Sequence, residues 1–307
     1  MIRFSIIIPA YNYGHYLATA IDAALNQGDP DYEVLIIDDG STDNTREVAK
    51  VYLDRPDSSV RYVYQQNRGL AGARNRGIDE ARGDWLLFPD ADDRLLPDAL
   101  KKFNAFLEIH SQTDMVFAGY IGVDAHGRGK TRAAVAVSGE TDRDFRGYVL
   151  GRFTMANGAI LFNRRVFELL RYPESLRNNE DYVVNAQTIA LFHCASFPDP
   201  VLEVHAHEDR LRHNLETLKV GGLSVVDLLF NPEILPPRFM QLRQRFLSRM
   251  LLSRFRTFYK AAHYREAMEY FRQAVNTKPV NILSPYYMRR FLISWWQARK
   301  DNSHGTL

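Results

Sequence analysis

Five short apolar runs recur in the first 120 residues, at 4–9, 33–37, 60–64, 85–89 and 115–120, and the intervals between them read as helices. In one interval Tyr16, Leu17, Ala20, Ile21, Ala24 and Leu25 fall at helical spacing, and Gly28 stops the pattern. Helices are likewise expected from about Thr42, over 70–81, and from Pro97 to near His110. Strands alternating with helices of this length build βαβ units around a parallel sheet with right-handed crossovers. The second and fourth runs end in acids, at Asp38-Asp39 and at Asp90-Ala91-Asp92-Asp93. Strand ends of a parallel sheet share one edge, and open α/β sheets bind ligands there.

After Tyr120 the rhythm breaks. Residues 122–139 are polar and glycine-bearing, which suits a loop or an antiparallel excursion. Helices are expected at 142–150, 164–170 and 180–192, and strands at 159–162 and 195–205. From Asn214 the chain reads as helical, with an apolar stripe through Phe239, Leu242, Phe246, Met250, Leu251, Phe255 and Phe258. The expected division is residues 1–213 and a basic helical region at 214–307. Charge supports that division. Residues 238–300 hold 14 Lys/Arg against Glu266 and Glu269, while the whole chain is only +2, so the front is net acidic. A single cysteine, Cys194, allows no internal disulfide and fits a reducing compartment. The first residues lack a signal-peptide layout, and no apolar run approaches about 18 residues. The expectation is a cytoplasmic protein, or one peripheral on the inner face of the membrane.

Three carboxylates in four positions repel one another unless a cation or a hydrogen-bonding ligand offsets them. An oxygen-only cluster suits a hard divalent ion such as Mg²⁺ or Mn²⁺. The competing reading makes Asp92 or Asp93 the cap of the next helix. Asp39 can accept hydrogen bonds from a base or a ribose, or cap a helix. Tyr11 can stack on a planar ligand or pack on the following helix. In 67–78, glycines permit close backbone approach, and Arg74 and Arg76 can neutralise phosphate. Neither the dinucleotide fingerprint nor a Walker motif is present.

Taken together, Ser5-Ile6-Ile7-Ile8-Pro9-Ala10-Tyr11-Asn12, Asp38-Asp39-Gly40-Ser41-Thr42-Asp43, Asn67 with Gly69 and Ala73-Arg74-Asn75, and Asp90-Ala91-Asp92-Asp93 resemble family 2 glycosyltransferases. The match is close to about residue 120 and looser to about 213. It implies a GT-A type fold, a mostly parallel, Rossmann-like sheet flanked by helices, here with a C-terminal helical appendage. It also implies an inverting, metal-dependent transfer from a nucleotide-sugar donor, most often UDP-linked. By that resemblance Pro9, Tyr11, Asn12, Asp39, Gly69, Arg74 and Ala91 surround the nucleotide, and Asp90 holds the ribose. Asp92 ligates Mn²⁺ or Mg²⁺, with Asp93 nearby. The general base is Asp181, with Glu180 as second choice. Acids in a helix first turn also favour the helix dipole without any catalytic role. Residues 155–165 resemble the acceptor-side strand. Residues 205–213 resemble a late histidine segment in which His207, or His205 close behind it, contacts metal or phosphate. Arg210 stands where a serine is frequent, which weakens that last match.

The tail resembles one tetratricopeptide hairpin at about 255–279, too few repeats for a solenoid. Residues 285–300 are basic and aromatic, so they suit an anionic bilayer or a domain interface. No recognition motif supports nucleic acid as a partner. The expected acceptor is a hydroxyl of a saccharide or a lipid-linked glycan in polysaccharide or envelope synthesis. The rival readings are a non-catalytic nucleotide-sugar-binding scaffold and a nucleotidyltransferase. The latter needs an early glycine-rich phosphate loop, and residues 9–14 do not form one.

Overall fold

The structure, a computed structural model, describes residues 3–28, 31–56, 58–205 and 223–303, with the side chains of 300–303 outside the description. It divides into two compact units, Met1–His213 and Asn214–Leu307.

The first unit is built on β1 (Phe4–Ala10), whose seven residues are all buried. Such a run suits a central parallel strand covered on both faces. Next come α1 (Gly14–Leu25), β2 (Tyr32–Asp38), α2 (Thr45–Leu53), β3 (Val60–Tyr64), α3 (Gly69–Glu80) and β4 (Trp85–Leu87). Strands β3, β2, β1 and β4 lie side by side in that order, all parallel. The chain therefore reverses its direction of winding between β1 and β4. Strand β4 pairs only with Phe4 to Ile6, so beyond Ile6 β1 is unpaired on that side while it stays paired with β2 as far as Ala10. Pro9 pairs in register with Ile37 of β2 but lies beyond the β4 pairing, so its missing N–H costs no ladder bond on the β4 side. Helix α3 lies very close to the sheet. A Cβ on Gly77 would stand 2.3 Å from Ile7 Cγ2, so only glycine fits.

The second half of the sheet is mixed. It comprises β5 (Arg94–Leu95), α4 (Ala99–Ile109), β6 (Met115–Val123), β7 (Gly129–Arg132), α5 (Thr141–Val149), β8 (Ile160–Asn163), α6 (Val166–Leu169), α7 (Glu180–Leu191) and β9 (Cys194–His205). Strand β8 inserts antiparallel between β4 and β6, and β6 pairs parallel with β9. The excursion after Tyr120 is the antiparallel hairpin of β6 and β7. Parallel pairing thus holds for β3, β2, β1 and β4, while the sheet as a whole is mixed.

Two local expectations are corrected. Helix α2 starts at Thr45, not near Thr42. Ser41 and Thr42 are held in the preceding turn by Asp38 and Asn12, and the Asp43 carboxylate receives the Thr45 amide (3.0 Å). Asp92 and Asp93 cap no helix, because Arg94 and Leu95 after them form β5 and pair with Glu203 and Leu202 of β9.

The second unit contains α8 (Ser224–Leu229), α9 (Pro237–Met240), α10 (Arg243–Lys260), α11 (Tyr264–Thr277), a 3₁₀ turn (Pro279–Leu283) and α12 (Pro285–Ser303). Phe255 and Phe258 of α10 pack with Ala267 and Phe271 of α11, and Tyr287, Met288 and Phe291 of α12 close over them. Helices α10 and α11, linked by residues 261–263, occupy the place of the tetratricopeptide-like hairpin, and Ala262 at φ 60° makes the bend.

Candidate active site

The open end of the sheet gathers the sequence motifs. Tyr11, beyond β1, is exposed, while Pro9 is buried beneath it. Asn12 takes a left-handed backbone (φ 55°), and its Oδ1 accepts the Thr42 amide at 2.8 Å. Its own amide donates to Ser41 Oγ at 2.9 Å, so Asn12 ties the β1 loop to the β2 loop. Asp38 is buried, accepting from the Ser41 amide at 2.8 Å and from the Tyr62 hydroxyl. Gly40 (φ 81°) follows, and a Cβ there would sit 2.9 Å from the Asn67 amide nitrogen. That tight approach lets Asp39 receive the start of α3. Asp39 Oδ1 accepts from Gln65 Nε2 (2.6 Å) and the Arg68 amide (2.8 Å), and Oδ2 accepts from the Gly69 amide (2.8 Å). A carboxylate offers about four acceptor sites, so these three donors leave room for one more.

Beyond β4, carboxylate oxygens of Asp90, Asp92 and Asp93 come within 4.8 Å of one another. Asp90 and Asp92 are half-buried, and Asp93 is buried beside Ala91. The Asp93 amide donates to the Asp90 carbonyl (3.0 Å), which folds the three acids into one turn.

Arg74 is the anchor of the site. It is only 2% exposed, and it joins two elements far apart in sequence. Nη1 donates to Glu180 Oε1 at 2.7 Å, and Nη2 donates to Asp90 Oδ1 at 2.9 Å. Burial alone would lower its pKa, but Asp90 and Glu180 together outweigh that and hold the guanidinium charged. Burial pushes the Asp90 and Glu180 carboxyls up; Arg74 opposes this, while Asp92 adds to the push on Asp90 and Asp181 adds to both. Asp90, Glu180 and Asp181 thus share the neighbourhood of the Arg74 guanidinium, and Asp92 acts on Asp90 beside them.

Two residues of the expected site meet in these contacts. Arg74, expected near the nucleotide, directs both terminal nitrogens to carboxylates, one of them that of Asp90. Glu180, second choice for the base, is buried in that ion pair. Asp181 is half-buried in the first turn of α7, its Oδ1 accepting the Tyr182 amide, and it acts electrostatically on Arg74, Asp90 and Tyr172. Of the two acids it is the one left toward solvent. His205 ends β9 with Nε2 3.3 Å from Glu203. It shares a cavity of about 760 Å³ with Asp92 and Asp93, walled also by Tyr16, Val123 and Gly129. His207 lies outside the described residues.

Sequence reading missed the partner that carries α7 to α3. Asn75 Nδ2 donates to the Tyr172 carbonyl (2.9 Å), and Asn75 Oδ1 accepts the Tyr172 amide (3.0 Å). Arg68 adds bonds to both oxygens of Glu174. The Tyr172 ring lies 5.3 Å from the Arg74 guanidinium, and its buried hydroxyl has no hydrogen-bond partner among the described residues. No local pattern marks Tyr172, because its role arises from a contact about a hundred residues away.

Comparison with known proteins agrees with this geometry. The family described as glycosyl transferase family 2 matches residues 5–171. A glycosyltransferase of Nostoc described as uncharacterized is 38% identical over 114 residues, covering 37% of this chain and 34% of that protein. Another, from Rickettsia felis, is 30% identical over 179 residues, covering 58% and 29%. The PGL/p-HBAD biosynthesis glycosyltransferase of Mycobacterium tuberculosis is 37% identical over 121 residues, covering 38% and 46%. The chain thus spans about a third to a half of the length of these curated relatives. Among solved structures, Staphylococcus aureus TarS residues 1–349 in complex with UDP-GlcNAc superposes with TM-score 0.69 at 18% identity, over 99% of this chain and 92% of that one. The mannosyltransferase PcManGT of Pyrobaculum calidifontis, in complex with GDP-Man and Mn²⁺, gives 0.60 at 17%, over 96% and 85%. At such identities the likeness is one of fold.

Proposed function

Because the chain belongs to glycosyl transferase family 2, we propose that it moves a sugar from a nucleotide-sugar donor, UDP-linked, to a hydroxyl of a saccharide or lipid-linked acceptor, with inversion at the anomeric carbon. The observation that carries this reading is the convergence of Asp90, Asp92 and Asp93 within 4.8 Å, at the edge where the sheet reverses its winding. TarS with UDP-GlcNAc and PcManGT with GDP-Man are neighbours of like fold that bind such donors.

In this reading the nucleobase lies on Tyr11 and uses the remaining acceptor site of Asp39. Asp90, oriented by Arg74, takes the ribose. Asp92 and Asp93 fit a divalent ion, Mn²⁺ or Mg²⁺, as an all-oxygen donor set, with His205 at hand in the adjoining cavity. Such an ion, when bound, stabilises charge developing on the departing diphosphate. Asp181 takes the proton of the attacking acceptor hydroxyl. Glu180 acts through Arg74 to hold α7, and with it Asp181, against the donor side.

Titration calorimetry tests the donor half. UDP should bind with Mn²⁺ and bind much more weakly without it, and Asp92→Asn should remove the metal dependence. Absence of binding by every nucleoside diphosphate, with or without metal, would sink the reading.

A further inference from the structure

Helix α12 turns an unusual face outward. Tyr286, Leu292, Trp295 and Trp296 are each between 40% and 56% exposed. With Arg289 and Arg299, also exposed, they recur at intervals of three and four residues and so share one side of the helix. Tyr287, Met288 and Phe291 pack into the core with α10 and α11, and Met288 and Trp295, seven residues apart, mark the border between the core side and the outward side. The outward face is thus aromatic, aliphatic and cationic at once. No acid occurs between Glu269 and Asp301, so nothing on the helix before that point offsets the arginines. Arg290 lies over the Tyr286 ring (3.6 Å) and Arg299 over the Trp295 ring (3.7 Å). The residues leading in continue the pattern, because Val280, Ile282 and Leu283 are exposed as well.

A face destined for plain solvent would not show two tryptophans and a leucine. One destined for a buried protein core would not carry arginines through its middle. Aromatic rings with cations between them match the boundary of a bilayer, where rings lie among headgroups and arginines meet phosphates. The helix does not cross the membrane: among the described residues no helix is long and apolar enough to do so. We propose that the α12 face of Tyr286, Arg289, Leu292, Trp295, Trp296 and Arg299 is a docking surface for an anionic lipid bilayer, lying in its interface. This stands apart from the donor reading, because lipid binding needs neither nucleotide nor turnover.

Flotation of the full chain with phosphatidylcholine vesicles, made with and without phosphatidylglycerol, tests it. The wild type should float with anionic vesicles, release at high salt, and shift its tryptophan emission to the blue; Trp85, buried in β4, stays constant. Each basic residue near an anionic surface contributes about a factor of five in partitioning, so Arg289→Gln/Arg299→Gln should weaken it about 25-fold. Arg289→Lys/Arg299→Lys should restore it, and Leu292→Ser/Trp296→Ser should lose both flotation and blue shift at an unchanged melting temperature. The proposal is overturned if the wild type does not float with anionic vesicles, or if the Gln and Ser variants float as it does. It is equally overturned if the wild type self-associates through this face and those variants are monomeric.

Discussion

Glu180→Gln separates an anchoring carboxylate from a catalytic one. The change keeps the shape and an acceptor oxygen but removes the charge facing Arg74, 2.7 Å away in a site where Arg74 is 2% exposed and Glu180 5%. Removing one partner of a buried pair outright costs about 3–5 kcal/mol. Here Asp90 still holds Nη2 of Arg74, and the amide oxygen still accepts from Nη1, so the loss falls toward that of one charge-assisted hydrogen bond, about 1.5–3 kcal/mol. For a unit of this size each kcal/mol lowers the melting temperature by about 2–4 °C, giving a drop of about 3–12 °C in a calorimetric or fluorescence melt. Turnover should fall too, because α7 carries Asp181. Replacing both ends, Arg74→Met with Glu180→Met, removes the buried charges together and should recover much of the stability, since apolar substitutes for buried pairs are often neutral. Activity should stay low, because Asp90 has then lost its partner. A Glu180→Gln protein that melts within about 1 °C of wild type, yet loses turnover with donor affinity intact, would refute the anchoring role and make Glu180 the base.

Asp181→Asn should abolish transfer while leaving UDP affinity within about twofold by calorimetry; retained turnover would move the base elsewhere. Gly77→Ala drives a methyl into Ile7 Cγ2 at 2.3 Å and should destabilise by about 1–3 kcal/mol in urea unfolding, the usual cost of overpacking. Asp43 is desolvated on folding, but hydrogen bonds from Thr45 and Gly14 outweigh this and hold its pKa below the ordinary 3.8. The contribution of Asp43 is therefore complete above pH 3.8 and vanishes as pH falls through the lower folded value. Wild type should melt above Asp43→Asn at neutral pH, the gap closing only in strong acid; a constant gap across that range would refute the carboxylate's role.

The parallel half of the sheet was legible in the sequence because its signals are local. Largely apolar runs such as 4–9 mean buried parallel strands, and helical spacing in 16–25 marks the crossover between the first two. The orientation of β8 was not legible. Ile160 to Phe162 is uniformly apolar and buried whether its neighbours run with it or against it, so only the pairing with β4 and β6 decides. The start of α2 was misplaced for a related reason. Ser41 and Thr42 are good capping residues by type, yet Asn12, thirty residues earlier, takes Thr42 first.

The same logic separates the acids of the site. By residue type Asp39, Asp90, Asp92, Asp93, Glu180 and Asp181 are nearly interchangeable, and spacing alone gives each the same choice between cap and ligand. What distinguishes them is the donor that reaches each one first. The Gln65 side chain and the Arg68 and Gly69 amides take three of the acceptor sites of Asp39, which ties the end of β2 to the start of α3. Arg74 takes Glu180 wholly and Asp90 partly, which buries the first and leaves the second half-buried at the cleft. Asp92, Asp93 and Asp181 are the three that Arg74 does not bond, and in the proposed function they are the acids that meet a cation or a proton. Arg74 therefore sorts the carboxylates without needing to touch a ligand. A cation aimed at phosphate would tolerate lysine, whereas one that must bond Asp90 and Glu180 through two nitrogens at fixed separation requires the planar fork of arginine.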